Sequence, residues 1–250
     1  SGFLKTERDG CPVLDEEDGV VIDEDMIQAW VEALAADYDT CGREKQFQST
    51  RGDLVTVNYV TYGTKLDVEA EKAYLLEALQ NRADDRAAYP GKADGTQGAA
   101  DSDVPDGTEM HVPAYIQKGY VRGLDDIGDT YVEIDMTEQK MYYYAAGELE
   151  LETDIVTGNT GRRMGTPQGI NYIHGKQRNQ ILRGADYESF VKYWVPVVGN
   201  IGIHDASWRG SFGGQIYQTG GSHGCINTPT ANMSQLYEMV EVGMPVIMFY

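Results

Sequence analysis

Residues 220–227 read Gly220-Gly221-Ser222-His223-Gly224-Cys225-Ile226-Asn227, or GGSHGCIN. One of only three cysteines in the chain sits here, two residues after a histidine and among glycines. A hydrophobic core needs neither group, whereas a nucleophile or a metal site uses both. A free cysteine has a pKa of about 8.5, so only a few per cent is thiolate at neutral pH. A histidine within hydrogen-bond reach can take that proton and leave an imidazolium–thiolate pair. The glycines clear side chains from around the sulfur and permit φ values that aim successive N–H groups at one point. The N–H groups of His223, Gly224 and Cys225 then offer an oxyanion hole.

Working outward, His204 ends the apolar run Ile201-Gly202-Ile203 and comes 21 residues before Cys225. Strand ends and the loops after them usually carry sites, and a hairpin-like return brings His204 beside Cys225. Asp205 follows directly and offers a backbone or side-chain group to orient the imidazole. Other readings stay open on spacing alone. A cysteine is often a small buried hydrophobe. His-x-Cys with a second histidine is also the start of a zinc set, but only three soft ligands stand here and no Cys-x-x-Cys supports them. His111, before Pro113, reads as exposed. His174 ends a strand and either reaches the site or faces solvent.

The surrounding pattern is mainly β. Tyr131–Met136 alternates Val132, Ile134 and Met136 inward, and Lys140–Tyr144, Leu149–Ile155, Ile170–His174, Val195–Val198 and Ile201–Ile203 follow as short strands. Residues 175–192 are polar and long for a hairpin loop, which points to a flap or lid. Thr228-Pro229 opens a helix, with the hydroxyl as N-cap, Met233, Leu236, Tyr237 and Val240 as its stripe and Gly243 closing it. Many short strands with one or two helices predict a β-sandwich-like unit over 126–250.

The first half reads as α+β. Met26, Ile27, Trp30, Val31, Leu34, Ala35 and Tyr38 recur at helical spacing behind Asp23 or Asp25 as cap. Two strands flank Arg51-Gly52-Asp53, and Asp67 caps a second helix whose stripe is Tyr74, Leu75, Ala78 and Leu79. Residues 89–108 read as an exposed loop, and 120–128 as a linker, giving a domain of 1–125 before one of 126–250.

Forty acidic against 20 basic side chains give a net charge of −20, which argues against a nucleic-acid partner. Residues 1–125 hold 26 acidic and 12 basic side chains, and 126–250 hold 14 and 8, so the halves differ in charge. Three cysteines are too few for a disulfide framework, although Cys11 and Cys41 can pair. No apolar run approaches the roughly 20 residues of a membrane span, and there is no initiator Met. The chain therefore reads as a processed or excised soluble part of something longer.

His204, a spacer of 17 residues, then Ser222-His223-Gly224-Cys225-Ile226-Asn227 resembles the signature of the L,D-transpeptidases, the YkuD-like family. Tyr131–Asp135 with Glu138-Gln139-Lys140, Val156-Thr157-Gly158-Asn159 and Thr166-Pro167-Gln168-Gly169 resemble its other landmarks, so the likeness spans about 126–250. Thr61–Asp67 and the helix after it resemble the domain, assigned to peptidoglycan binding, that precedes the catalytic domain in Gram-positive members. The resemblance implies a cysteine acyltransferase with no cofactor and no metal. Its partners would be peptidoglycan stem peptides, a tetrapeptide donor and an acceptor amine, joined by 3→3 cross-links with loss of terminal D-Ala. It implies Cys225 as nucleophile, His204 as base, oxyanion N–H groups at 223–225, and Ser222 and Asn227 as loop supports. Trp208 and Tyr217, between the motif halves, either line the cleft or pack under the lid. Carbapenems would acylate such an enzyme. It would work on the cell-wall face of the membrane, held by an anchor outside this chain. An L,D-carboxypeptidase shares the acyl-enzyme and stays open, as does a non-catalytic wall binder, which would have lost the thiol or the base. In papain-like peptidases cysteine precedes histidine, and a sortase expects an arginine after its cysteine; neither order occurs here.

Overall fold

The computed structural model describes residues 3–7, 13, 21–84, 111–184 and 187–250. Two compact units emerge: Ser1–Tyr38 with Lys65–Ile116, and Asp39–Thr64 with Gln117–Tyr250. This division differs from a single cut near 125, because the segment 39–64 packs into the second unit. The predicted loop 89–108 lies outside the described residues, as does Cys11 and with it any Cys11–Cys41 pairing.

In the first unit, α1 (Glu24–Tyr38) buries Ile27, Val31 and Ala35, one side chain per turn. Asp23 Oδ1 caps it by accepting from the Met26 N–H at 3.1 Å. The expected stripe was too wide: Met26, Trp30 and Tyr38 are about half exposed. The second unit's hairpin, β1 (Glu44–Gln48) and β2 (Leu54–Asn58), turns at Arg51-Gly52. Returning to the first unit, β3 (Lys65–Leu66) leads into α2 (Val68–Asp84), and β4 (Tyr115–Gln117) pairs with β3. Asp67 caps α2 through the Ala70 N–H, 3.0 Å from Oδ1. His111 is exposed, as expected, and also has its ring against Tyr74 and Nε2 2.9 Å from Glu71 Oε1.

The second unit holds two sheets. In chain order come β5 (Tyr131–Asp135), β6 (Lys140–Ala145), β7 (Glu148–Asp154), β8 (Gly169–Tyr172), β9 (Gln177–Arg183), β10 (Glu188–Val198), β11 (Ile201–Asp205), α3 (Ile216–Gly220), β12 (Ile226–Thr228), α4 (Thr230–Met239) and β13 (Pro245–Phe249). One sheet runs β7-β6-β5-β13-β8 and the other β12-β11-β10-β9. Val132 and Ile134 from the first sheet, with Met136 just after β5, meet Ile203 and Ile226 from the second, all fully buried. Met233, Leu236, Tyr237 and Val240 of α4 and the turn after it close this core. The α+β first unit and the mainly β second unit are therefore as the pattern predicts. Thr228 is not the cap of α4. It is the last residue of β12, where its carbonyl accepts from the Ala206 N–H at 3.0 Å.

Residues 120–128 are an anchor more than a linker. Asp126 is fully buried, and its carboxylate accepts from Tyr59 Oη at 2.8 Å and Thr40 Oγ1 at 2.5 Å. These bonds tie the 39–64 segment to the stretch that leads into β5. At the hairpin tip, Arg51 Nη1 donates to fully buried Asp135 at 2.9 Å, and Thr50 Oγ1 donates to buried Glu133 at 2.6 Å. Phe47, Val57 and Tyr59 then cover Ile170, Ile247 and Phe249 on the outer face of the five-stranded sheet.

Candidate active site

The site grows from the parallel pairing of β11 with β12. Ile203 registers with Ile226 and His204 with Asn227. Side chains alternate across a strand. With Ile203 and Ile226 in the core, His204, Asn227 and Cys225 share the opposite face. Trp194 of β10 registers with His204 and shares that face, where it packs with Val191 against Cys225. Gly202 leaves room there, since a Cβ would lie 2.8 Å from the Trp194 ring.

A cleft of about 220 Å³ opens over this face. His204, Trp208 and Arg209 line it from one side, and Ser222, His223, Cys225 and Asn227 from another. Leu182, Tyr187 and Ser189 line it from the β9–β10 hairpin, so the expected lid is two strands flanking the cleft. Tyr187 stacks on His223, with ring centroids 4.6 Å apart. His174 and Tyr217 are not among the lining residues. His174 is exposed beside Tyr172, and Tyr217 belongs to α3, near Tyr250.

His204 is 4% exposed, and its Nδ1 lies 2.9 Å from the backbone carbonyl of Asp205. The carbonyl, not the carboxylate, therefore orients the ring. Asp205 Oδ1 instead accepts from the backbone N–H groups of Lys192 and Tyr193, at 2.8 and 2.9 Å. The Asn227 amide satisfies both its neighbours in one orientation. Nδ2 then donates to His204 Nε2 at 3.2 Å, and Oδ1 accepts from Arg209 Nε at 2.6 Å and Nη2 at 3.1 Å. Burial lowers the His204 pKa, with the Arg209 charge adding to it against the pull of Asp205. Burial also raises the Cys225 pKa, opposed by the Gly202 N–H. Both shifts favour the neutral thiol and imidazole over the imidazolium–thiolate pair that a nearby histidine can form. The Asn200 carbonyl lies 3.8 Å from Sγ and accepts from the thiol.

The loop carrying Cys225 is held from below. Ser222 Oγ donates to the Cys225 carbonyl at 2.5 Å and accepts from the Gly224 N–H at 3.0 Å. That second bond occupies an N–H expected in the oxyanion hole. Thr166 Oγ1 donates to the Gly224 carbonyl at 2.6 Å and accepts from the Gly158 N–H at 2.9 Å. The 156–159 and 166–169 landmarks thus act as buttresses of the cysteine loop. Gly224 itself has φ +120°, which an L side chain rarely adopts. Arg209 escaped the sequence reading. Its only signal was a cation five residues after His204, in a half that holds eight basic side chains.

A buried cysteine and histidine share one face where β11 pairs with β12, under a hairpin-flanked cleft in a two-sheet unit. The family described as "L,D-transpeptidase catalytic domain" matches residues 129–248, and that described as "Putative peptidoglycan binding domain" matches residues 19–88. A crystal structure of a cysteine-to-serine mutant of the Enterococcus faecium L,D-transpeptidase is 31% identical, with a TM-score of 0.73, over 99% of this chain and 87% of that one. The avibactam carbamoyl enzyme of Ldtfm is 32% identical, with a TM-score of 0.74, over 96% of this chain and 85% of that one. A comparison with curated proteins found no match. The chain belongs to the L,D-transpeptidase family.

Proposed function

We propose that the protein forms 3→3 cross-links in peptidoglycan through a thioester on Cys225. The observation that carries this is the shared face of Cys225 and His204 at the floor of the cleft. The Cys225 sulfur attacks the carbonyl of the L-centre of the diamino residue at position three of a tetrapeptide stem. The thiol proton passes to His204 Nε2 and on to the amine of the departing D-Ala as the C–N bond breaks. The side-chain amine of an acceptor stem then attacks the thioester, forms the cross-link amide and returns the thiol. Backbone N–H groups at the cysteine loop meet the oxyanion, and losing one such donor typically costs about 2.7–4 kcal/mol of transition-state stabilisation. Avibactam carbamoylation of a relative supports a covalent site of this kind. Such substrates place the reaction on the cell-wall side of the membrane.

Product analysis tests the proposal. Purified protein with disaccharide tetrapeptide should release D-Ala and yield 3→3 dimers. Tripeptide alone, even with excess acceptor, would replace this reading by L,D-carboxypeptidase activity, and no product would contradict both.

A further inference from the structure

Arg209 is assigned no part in the reaction by the motif, yet it ends a hydrogen-bond chain that reaches the base. The two ends of that chain fix its direction. A guanidinium can only donate, and a backbone carbonyl can only accept. Arg209 Nε and Nη2 must therefore meet Asn227 Oδ1, which turns Asn227 Nδ2 toward His204 Nε2. At the far end the Asp205 carbonyl requires the proton on His204 Nδ1. The order Arg209→Asn227→His204→Asp205 is the one arrangement in which every member of this chain is satisfied with a neutral ring.

We propose that Arg209 is a positioning residue for the transferase reaction, acting through the Asn227 amide to hold His204 as the neutral Nδ1–H tautomer with Nε2 unprotonated. The inference rests on the reading of His204 as base. Asn227 gives up its 3.2 Å bond when the thiol proton arrives. The resulting Nε2–H then faces an amide donor and, behind it, a guanidinium. That imidazolium is disfavoured, so it hands its proton on to the leaving amine. The other groups around His204 do not replace this control. The Asp205 carboxylate is turned to the N–H groups of Lys192 and Tyr193, Trp194 and Trp208 are uncharged, and Cys225, His223 and Tyr187 line the cleft.

Nitrogen-15 NMR of the histidines in the full chain, read across pH, tests this with iodoacetamide alkylation of Cys225 alongside. Wild-type His204 should show a protonated Nδ1 and a bare Nε2 at neutral pH. Arg209→Ala and Asn227→Asp should carry the imidazolium form upward by about one pH unit or more. The alkylation limb should move to lower pH with them while turnover falls. Arg209→Lys should restore the wild-type tautomer, a rescue that loss of folding would not allow. Arg209 lies on a half-exposed loop, so its variants serve even where Asn227→Asp fails to fold. A wild-type Nε2–H tautomer, or an Arg209→Ala protein with unchanged titration and alkylation profile, overturns the proposal. Neither result bears on whether Cys225 forms an acyl-enzyme, which acylation by a carbapenem reads separately.

Discussion

At the scale of single residues, burial favours a neutral thiol on Cys225 and a neutral imidazole on His204. Cys225→Ala should abolish transfer and hydrolysis together, and His204→Ala should remove most of the rate, as read by muropeptide chromatography. The raised thiol and lowered imidazole give a sign for pH. Thiolate forms only above the ordinary thiol range, so the alkylation rate of Cys225 should keep rising with pH and show no plateau near neutrality. Because a backbone carbonyl orients His204, Asp205→Asn should keep most of the turnover. A fall of roughly 10⁴-fold, the loss seen when a triad carboxylate is neutralised, would show that the carboxylate takes part. His204 and Cys225 were legible because the alternation of their strands and the spacing of the motif both depend on local chain geometry. Arg209 was not legible: its contact arises from the rotation of an amide 18 residues away in sequence. For His174 and Tyr217 the sequence left two placements open, because a strand end or a loop position does not say which way a side chain turns.

Among the elements, the β1–β2 hairpin carries the clearest energetic consequence. Arg51 compensates Asp135, whose carboxylate is fully buried. Removing one partner of a buried pair typically costs about 3–5 kcal/mol, and the N–H groups of Thr137 and Glu138 keep Asp135 partly satisfied. Arg51→Ala should therefore destabilise the second unit by about 3 kcal/mol in urea unfolding, and a change under about 0.5 kcal/mol would put Arg51 among ordinary surface residues. The alternation of Val55, Val57 and Tyr59 revealed a strand with one buried face. It did not reveal which sheet that face covers, because period-2 patterning records burial and not the identity of the partner. Thr228 was misread for a related reason: a hydroxyl before proline suits a helix cap, but strand pairing with β11 claims that residue first.

For the whole molecule, the allegiance of residues 39–64 decides how the chain can be divided. A fragment of 126–250 keeps every motif of the site but uncovers Ile170, Ile247 and Phe249, each worth roughly 1.5–3 kcal/mol when fully exposed. Its melting temperature should fall below that of the full chain, and equal melting would show that the hairpin adds little. The central claim is the acyl-enzyme on Cys225, and intact-mass spectrometry with a carbapenem tests it most directly. The account predicts one adduct per chain, mapped by digestion to the peptide containing residues 220–227 and absent from Cys225→Ala. An adduct on Cys11 or Cys41, or none after long incubation with excess drug, would contradict it.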